Sequence, residues 1–375
     1  MAQSIIFAQR NAKDISGGRR KSLTGLEVDC VRWEVGDRSK EIVNVLRIIK
    51  RFSEKEVEIR KLLHEIFVKN VPNSDLFFII LDCLKKLGKI EGKRGKVRIL
   101  KLEEGDLVKV KEIVKRRIAR IKKIFVTPLE VSKFFQCPRR LWLEKIVLSK
   151  QFKEEKGKVW DGEVIHLAVR LFVSRLKRLS LEENLKRSAR EAIKKFEGKT
   201  VEIKESDLVE FLKSLYGFFI EENFSEIYPE KFLESFKIGL DGTPDLICFR
   251  NDGSIVTIDI KAGKLGKDIK KEHLLQSIGE ALLVENFFRR EVSECVLVYY
   301  GSKILVKVEI TERMKKEFLN LKRKIEETYR SQRVPPKSKL PNFRRRVCKG
   351  CHVRPACENL EKVMKLRIYR GNKGR

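Results

Sequence analysis

Residues 241–261 read DGTPDLICFRNDGSIVTIDIK. Asn251, Asp252 and Gly253 predict a tight turn, because all three residue types tolerate positive φ. The flanking runs, 245–249 and 255–260, are rich in β-branched and large apolar residues. They predict two buried strands. Three charges interrupt this apolar text: Asp245, Asp259 and Lys261. Buried charge is costly unless it is paired or holds a metal. Asp259 and Lys261 are two residues apart, so a strand projects both to one face. With Asp245 ahead of the turn, two carboxylates and one ammonium can surround a single point. Divalent Mg2+ and Mn2+ favour such oxygen ligands. A lysine there can hold a water and offset charge on a reacting phosphodiester. The plainer alternative is a surface hairpin with solvated charges. It conflicts with Leu246, Ile247, Ile258 and Ile260, which need a buried face and leave the three charges together on the other side.

The surroundings extend this reading. Strands are expected at 232–240, 244–250 and 254–261, a helix over 271–289, and a hairpin of 295–300 with 304–310, followed by a charged helix from Thr311. Upstream, Thr127, Pro128 and Glu130 form a helix start with a capping box. A helix over 159–178 holds Gly162 and His166, and 180–223 reads as amphipathic helix. Helix, three strands, helix, strand predicts an α/β core with a mixed sheet. His166, one helix before the hairpin, and Gln276, one helix after it, are not singled out by composition. Glu234 reads equally as support for the site or as an exposed strand residue.

The chain has 375 residues, enough for two domains, and a formal charge of +31 from 84 basic and 53 acidic residues. Such an excess attracts a polyanion, either nucleic acid or an anionic surface. No apolar run approaches the length of a membrane span, and the first residues lack a secretory core. A cytoplasmic protein with no membrane partner is expected. Residues 1–37 read as an irregular tail and 362–375 as a basic tail. Residues 38–104 read as three helices and a hairpin. Ser53 and Glu56 form a capping-box signature for the second helix, Asn73 or Ser74 starts the third, and Gly88 ends it. This unit resembles a winged helix. The resemblance implies that the third helix reads DNA and that Lys93, Arg94 and Lys96 of the wing lie near phosphates. Against base reading, the third helix is notably apolar. Residues 105–126 form a basic connecting helix, for which a solvated face is the commoner explanation.

Eight cysteines include Cys348, Cys351 and Cys357 near the end and a distant Cys137. Four thiolates suit zinc or an iron–sulfur cluster, and spacing alone does not separate the two. Cys83, Cys248 and Cys295 read as core residues, and His352 as a bystander.

Taken in order, Cys137, Gly162-x-x-x-His166, Gly242-x-x-Asp245, Asp259-x-Lys261, Gln276 and Cys348-x-x-Cys351-x5-Cys357 resemble the RecB-like branch of the PD-(D/E)XK nucleases. Within it, residues 127–361 are similar to the iron–sulfur type, the CRISPR-associated Cas-four exonuclease family. The resemblance implies a restriction-endonuclease-like α/β core with a mixed sheet flanked by helices. It implies Mg2+ or Mn2+ held by His166, Asp245, Asp259 and the Ile260 carbonyl. Lys261 would position and activate water, and Gln276 would orient the substrate or the lysine. A [4Fe–4S] cluster on Cys137, Cys348, Cys351 and Cys357 would staple the C-terminal segment to the start of the nuclease domain. The implied activity is metal-dependent DNA exonuclease, trimming single strands or ends, with CRISPR adaptation proteins as partners. Two positions depart from the family pattern: Asp259 stands where Glu is frequent, and Glu280 where Tyr is usual. The alternatives are a repair nuclease outside CRISPR, an RNA-directed enzyme, and a DNA-binding regulator on a degenerate scaffold.

Overall fold

A computed structural model describes residues 37–92, 95–121, 123–147, 160–331, 333–338 and 348–360. The expected tails, Lys93 and Arg94 lie outside these residues, apart from Asp37 at the edge of the first tail. The elements, in chain order, are α1 (Ser39–Lys50), β1 (Glu56–Glu58), α2 (Ile59–Val68), α3 (Ser74–Lys86), β2 (Ile90–Glu91), β3 (Lys96–Ile99), α4 (Glu104–Ala119), α5 (Pro128–Gln136) and α6 (Pro138–Trp142). A π-helical turn (Leu143–Val147) extends α6. Then come α7 (Asp161–Arg175), α8 (Leu181–Lys195), α9 (Glu205–Glu221), β4 (Phe224–Pro229), β5 (Leu233–Ser235), β6 (Leu240–Gly242), β7 (Leu246–Arg250), β8 (Ile255–Lys261), α10 (Lys271–Phe288), β9 (Glu294–Tyr299), β10 (Ile304–Glu309) and α11 (Glu312–Ser331).

The sheet order is β10-β9-β8-β7-β4, with β8 and β9 parallel and the other neighbours antiparallel. This is the expected mixed sheet. The β7–β8 turn forms as the sequence predicts: Gly253 takes φ +79°, and the Asp252 carboxylate accepts from Ser254 N at 2.7 Å. The edge strand β4 escaped the sequence reading, which ran helix up to residue 223. Its FSEIYP text mixes polar residues and proline, as edge strands do. Asn223, in the left-handed region at φ 54°, ends α9 and turns the chain into it.

Both faces of the sheet are covered, so the face that carries the charges is buried as well. Leu246, Cys248, Val256, Ile258, Ile260, Val296 and Val298 pack against α7, α8 and α9. Ile247, Ile255 and Cys295 belong to a second core with α5, α10 and α11. Asp259 alternates onto this second face and is 1% exposed. Helix α10 comes close to its neighbours because Gly279 has no side chain. A Cβ there would lie 2.5 Å from the Phe318 ring and 2.9 Å from Pro128.

The N-terminal elements share this second core. Their helices carry a small antiparallel sheet ordered β1-β3-β2. Asn73 caps α3 by accepting from Leu76 N at 3.2 Å, as expected. The Ser53–Glu56 capping box does not form. Glu56 lies in β1, and the Ser53 hydroxyl instead donates to Leu100 O at 3.1 Å and accepts from Leu102 N at 3.2 Å. Glu234 is not an exposed strand residue. It is 1% exposed on β5, where Arg38 Nη2 reaches its two oxygens at 3.0 and 2.8 Å and Asn73 Nδ2 donates at 2.9 Å. A reciprocal link joins Asp75 of α3 to Arg289, the Ser235 hydroxyl at 3.1 Å and Lys237 N at 2.9 Å. Asn73, Ser74 and Asp75, the first residues of the helix expected to read bases, are therefore buried against β5 and α10. Lys96 stands exposed on β3, 3.7 Å from Glu56. Among the described residues no helix is long and apolar enough to cross a membrane.

Candidate active site

Strand alternation places Asp259 and Lys261 on the face that α10 covers. Helical spacing then brings Gln276, Ser277 and Glu280 of α10 over them. Asp259 Oδ2 accepts from the Ser277 hydroxyl at 2.8 Å and lies 2.7 Å from Lys261 Nζ. Lys261 Nζ also donates to Gln276 Oε1 at 2.9 Å. Gln276 Nε2 in turn donates to Glu280 Oε1 at 3.0 Å. From the other side, Asp245 Oδ2 accepts from Ile260 N at 2.7 Å, which ties the first acid to the strand carrying the second. Asp245 Oδ1 lies 3.1 Å from His166 Nδ1 on α7. His166, Asp245, Ile260, Asp259, Lys261 and Gln276 thus form one connected set drawn from four parts of the chain.

The electrostatics follow from burial. Burial pushes the Asp259 carboxyl up; Lys261 opposes that and Asp245 adds to it, leaving the pKa raised to about 6. Burial, then the charges of Asp259 and Asp245, hold Glu280 well above the ordinary carboxylate range. Burial pulls the His166 imidazole down, but the hydrogen bond and charge of Asp245 outweigh it, so the net shift is upward. Glu230 contributes to that rise, and itself pairs with Arg170 at 2.5 Å. His273, whose Nδ1 lies 3.0 Å from the Tyr299 hydroxyl, is lowered to about 4 by burial and by Lys261.

Two carboxylates and an imidazole are donors that Mg2+ or Mn2+ accepts. Asp259 Oδ1 is buried with no hydrogen-bond partner among the described residues. A buried carboxylate oxygen of this kind is a donor that a divalent cation can take. Among the described residues, no three His, Cys, Asp or Glu side chains already form a closed metal cage. His166 and Asp245 spend their facing atoms on each other.

The sequence profile of the PD-(D/E)XK nuclease superfamily matches residues 126–358. The chain belongs to that superfamily. A stretch of 126 residues is 30% identical to the CRISPR-associated exonuclease Cas4/endonuclease Cas1 fusion of Leptospira interrogans, covering 32% of this chain and only 22% of that protein's length. Among solved structures, SSO0001 aligns with a TM-score of 0.30 and 16% identity over 74% of this chain and 92% of its own. The alkaline exonuclease LHK-Exo from Laribacter hongkongensis aligns with a TM-score of 0.22 and 17% identity over 44% of this chain and 96% of its own.

In this PD-(D/E)XK nuclease the four cysteines singled out by spacing line one cavity, without forming a closed ligand group among the described residues. Cys137, at the junction of α5 and α6, lines one cavity of about 300 Å³ with Cys348, Cys351 and Cys357. Arg140, Lys337, Lys349 and Arg354 also line it, and such cations suit a negatively charged thiolate centre. Burial raises the Cys351 thiol, and Cys137 and Cys348 add to the rise. Trp142, Leu143 and Val353 form a small core beside the cavity. His352 points away to Glu144, at 3.1 Å. Cys83, Cys248 and Cys295 are buried core residues, as expected. Sequence reasoning missed Ser277 and His273. The spacing of Ser277 and Glu280 from Gln276, one and four residues, was the available signal for what α10 presents to the nuclease site.

Proposed function

We propose that this protein is a metal-dependent DNA exonuclease of the Cas-four type, trimming single strands or DNA ends in the cytoplasm. The observation that carries the reading is the connected set of His166, Asp245, Asp259, Lys261 and Gln276 on the sheet of a PD-(D/E)XK nuclease. His166, Asp245, Asp259 and the Ile260 carbonyl would hold Mg2+ or Mn2+. When bound, that ion would polarise the scissile phosphate and acidify the attacking water. Lys261 positions the water and donates to the phosphate oxygens as negative charge develops. Gln276 holds the lysine in place. The basic excess gives a salt-sensitive grip on the DNA backbone, with Lys93, Arg94 and Lys96 of the domain at residues 38–104 near phosphates. The Cys137, Cys348, Cys351 and Cys357 thiolates would carry a [4Fe–4S] cluster. Likeness to a relative named as an exonuclease joined to an endonuclease in one chain supports CRISPR adaptation proteins as partners.

The test is incubation of anaerobically purified protein with end-labelled single-stranded DNA and Mn2+. Lys261→Ala is expected to slow degradation by about 10²–10³-fold, the usual effect of removing one group that stabilises the transition state. Equal, slow degradation by both proteins would leave only a DNA-binding scaffold. A brown protein absorbing near ~400 nm is expected from the cluster; a colourless protein with stoichiometric zinc would overturn that part.

A further inference from the structure

Helix α10 brings a further acid to the site one turn after Gln276. Glu280 is 4% exposed. Its Oε1 accepts from Gln276 Nε2 at 3.0 Å, while Gln276 Oε1 accepts from Lys261 Nζ at 2.9 Å. A primary amide has one accepting end and one donating end. Lys261, an ammonium with donors only, can use just the accepting end. A reversed Gln276 would set its NH2 against the ammonium, donor to donor. The acceptor Glu280 Oε1 holds the donating end and so aims the other end at Lys261. We propose that Glu280 is a positioning residue, which fixes the orientation of the Gln276 amide and through it the place of the Lys261 ammonium beside Asp259.

The remaining observations fit this role better than a packing role. Three and four places after Glu280 on α10 lie Leu283 and Val284, both buried and apolar, and buried Ser277 lies three places before it. Glu280 Oε2 is buried with no partner among the described residues. A leucine would fill the position without that desolvation cost. Among the described residues the hydrogen bond of this acid goes to Gln276, whose other end meets Lys261.

The inference rests on the nuclease reading of Lys261, so the test includes a measurement that needs no turnover. Full-length wild type, E280Q and E280L are treated, metal-free, with limiting acetic anhydride, and acylation of Lys261 is read by mass spectrometry. E280L is expected to acylate roughly 5–10-fold faster, the factor set by losing one hydrogen bond. E280Q, whose amide oxygen still accepts from Gln276, should stay within about twofold of wild type. Q276L should acylate as fast as E280L, and Q276L/E280L no faster, because coupled residues are not additive. With Mn2+ and end-labelled DNA, kcat in E280L should fall about tenfold at unchanged KM, and E280Q should restore it. Calorimetric Mn2+ affinity should be unchanged in both variants. Equal acylation in wild type and E280L would overturn the proposal. So would a tenfold loss of Mn2+ affinity in both variants, which would make Glu280 a metal ligand. Should E280L unfold, E280M serves, since it also lacks an oxygen acceptor. A wild type that acylates as expected but cleaves no DNA would refute the nuclease reading and leave the positioning role standing.

Discussion

Arg38→Met should loosen the N-terminal elements from the nuclease sheet. Arg38 Nη2 bridges both oxygens of Glu234, at 3.0 and 2.8 Å, and the Glu234 side chain is 0% exposed. Methionine keeps much of the stem but removes the guanidinium. Breaking one side of a buried ion pair costs about 3–5 kcal/mol, because the other charge stays behind in low dielectric. Asn73 still donates to Glu234 at 2.9 Å, and Arg38 is 14% exposed, so the lower end of that range applies. At ~2.1 cal/mol/K per residue, a chain of 375 residues unfolds with an entropy of ~0.8 kcal/mol/K, so ~3 kcal/mol lowers Tm by about 4 °C. Calorimetric melting measures the shift, and limited proteolysis shows whether α1 is released first. R38M/E234L should recover most of the loss, because an apolar pair can replace a buried ion pair at little cost. A Tm drop under about 1 °C for R38M, or a double variant melting lower than R38M, would refute a buried link holding the two parts together.

Three further outcomes are expected. Gly279→Ala places a Cβ 2.5 Å from the Phe318 ring; it should destabilise the protein by about 1–3 kcal/mol in a denaturant titration, and F318L should relieve it in part. His273 is lowered to about 4 from an ordinary 6.5, so the unfolded chain binds its proton more readily. Its contribution is absent above pH 6.5 and destabilises progressively as pH falls from 6.5 towards about 4; H273N should flatten that limb of the stability–pH curve relative to wild type. If the four cysteines carry the proposed cluster, Cys351→Ser should abolish visible absorption in anaerobically purified protein while leaving the Mn2+ affinity of the acidic site unchanged, as read by calorimetry.

Much of the site was legible because its chemistry opposes its surroundings. Asp259 and Lys261 stand in the run IVTIDIK, where strand pattern alone favours apolar residues, and period-two alternation put them on one face. The hairpin turn was equally plain in Asn251, Asp252 and Gly253. Which helices cover that face was not. A strand covered on both sides reads as a continuous apolar run, and which helix covers which side depends on contacts far apart in sequence. The Gln276–Glu280 pair shows the same limit. One helical turn of spacing predicts that the two side chains can meet, but nothing local says that Lys261, fifteen residues earlier, takes the other end of the amide. Edge strand β4 was lost for a different reason. Its polar text and closing proline satisfy the needs of a sheet edge, and these weaken the strand pattern.

The N-terminal unit shows how tertiary docking can reverse a local reading. Asn73, Ser74 and Asp75 are good helix starters by propensity alone, and a helix-turn-helix protein presents those same first residues to base edges. Here each is committed elsewhere. Asn73 bonds Glu234, the Ser74 hydroxyl donates to Asn286 O at 3.4 Å, and Asp75 takes Arg289, Ser235 and Lys237 N. Placing that helix end in a major groove would expose this buried polar set and break a core shared with α10. The loss would be several times the ~1–3 kcal/mol that one good base contact returns. Any nucleic-acid contact by this unit would then come from its outer surface, where Lys96 stands exposed on β3. If so, the contact is with phosphates, is insensitive to base sequence, and weakens uniformly with salt. Fluorescence anisotropy on Lys261→Ala protein with two unrelated DNA sequences should give equal affinities at each salt concentration. A sequence preference that disappears in Asp75→Asn would show instead that the docked helix end is released to read bases.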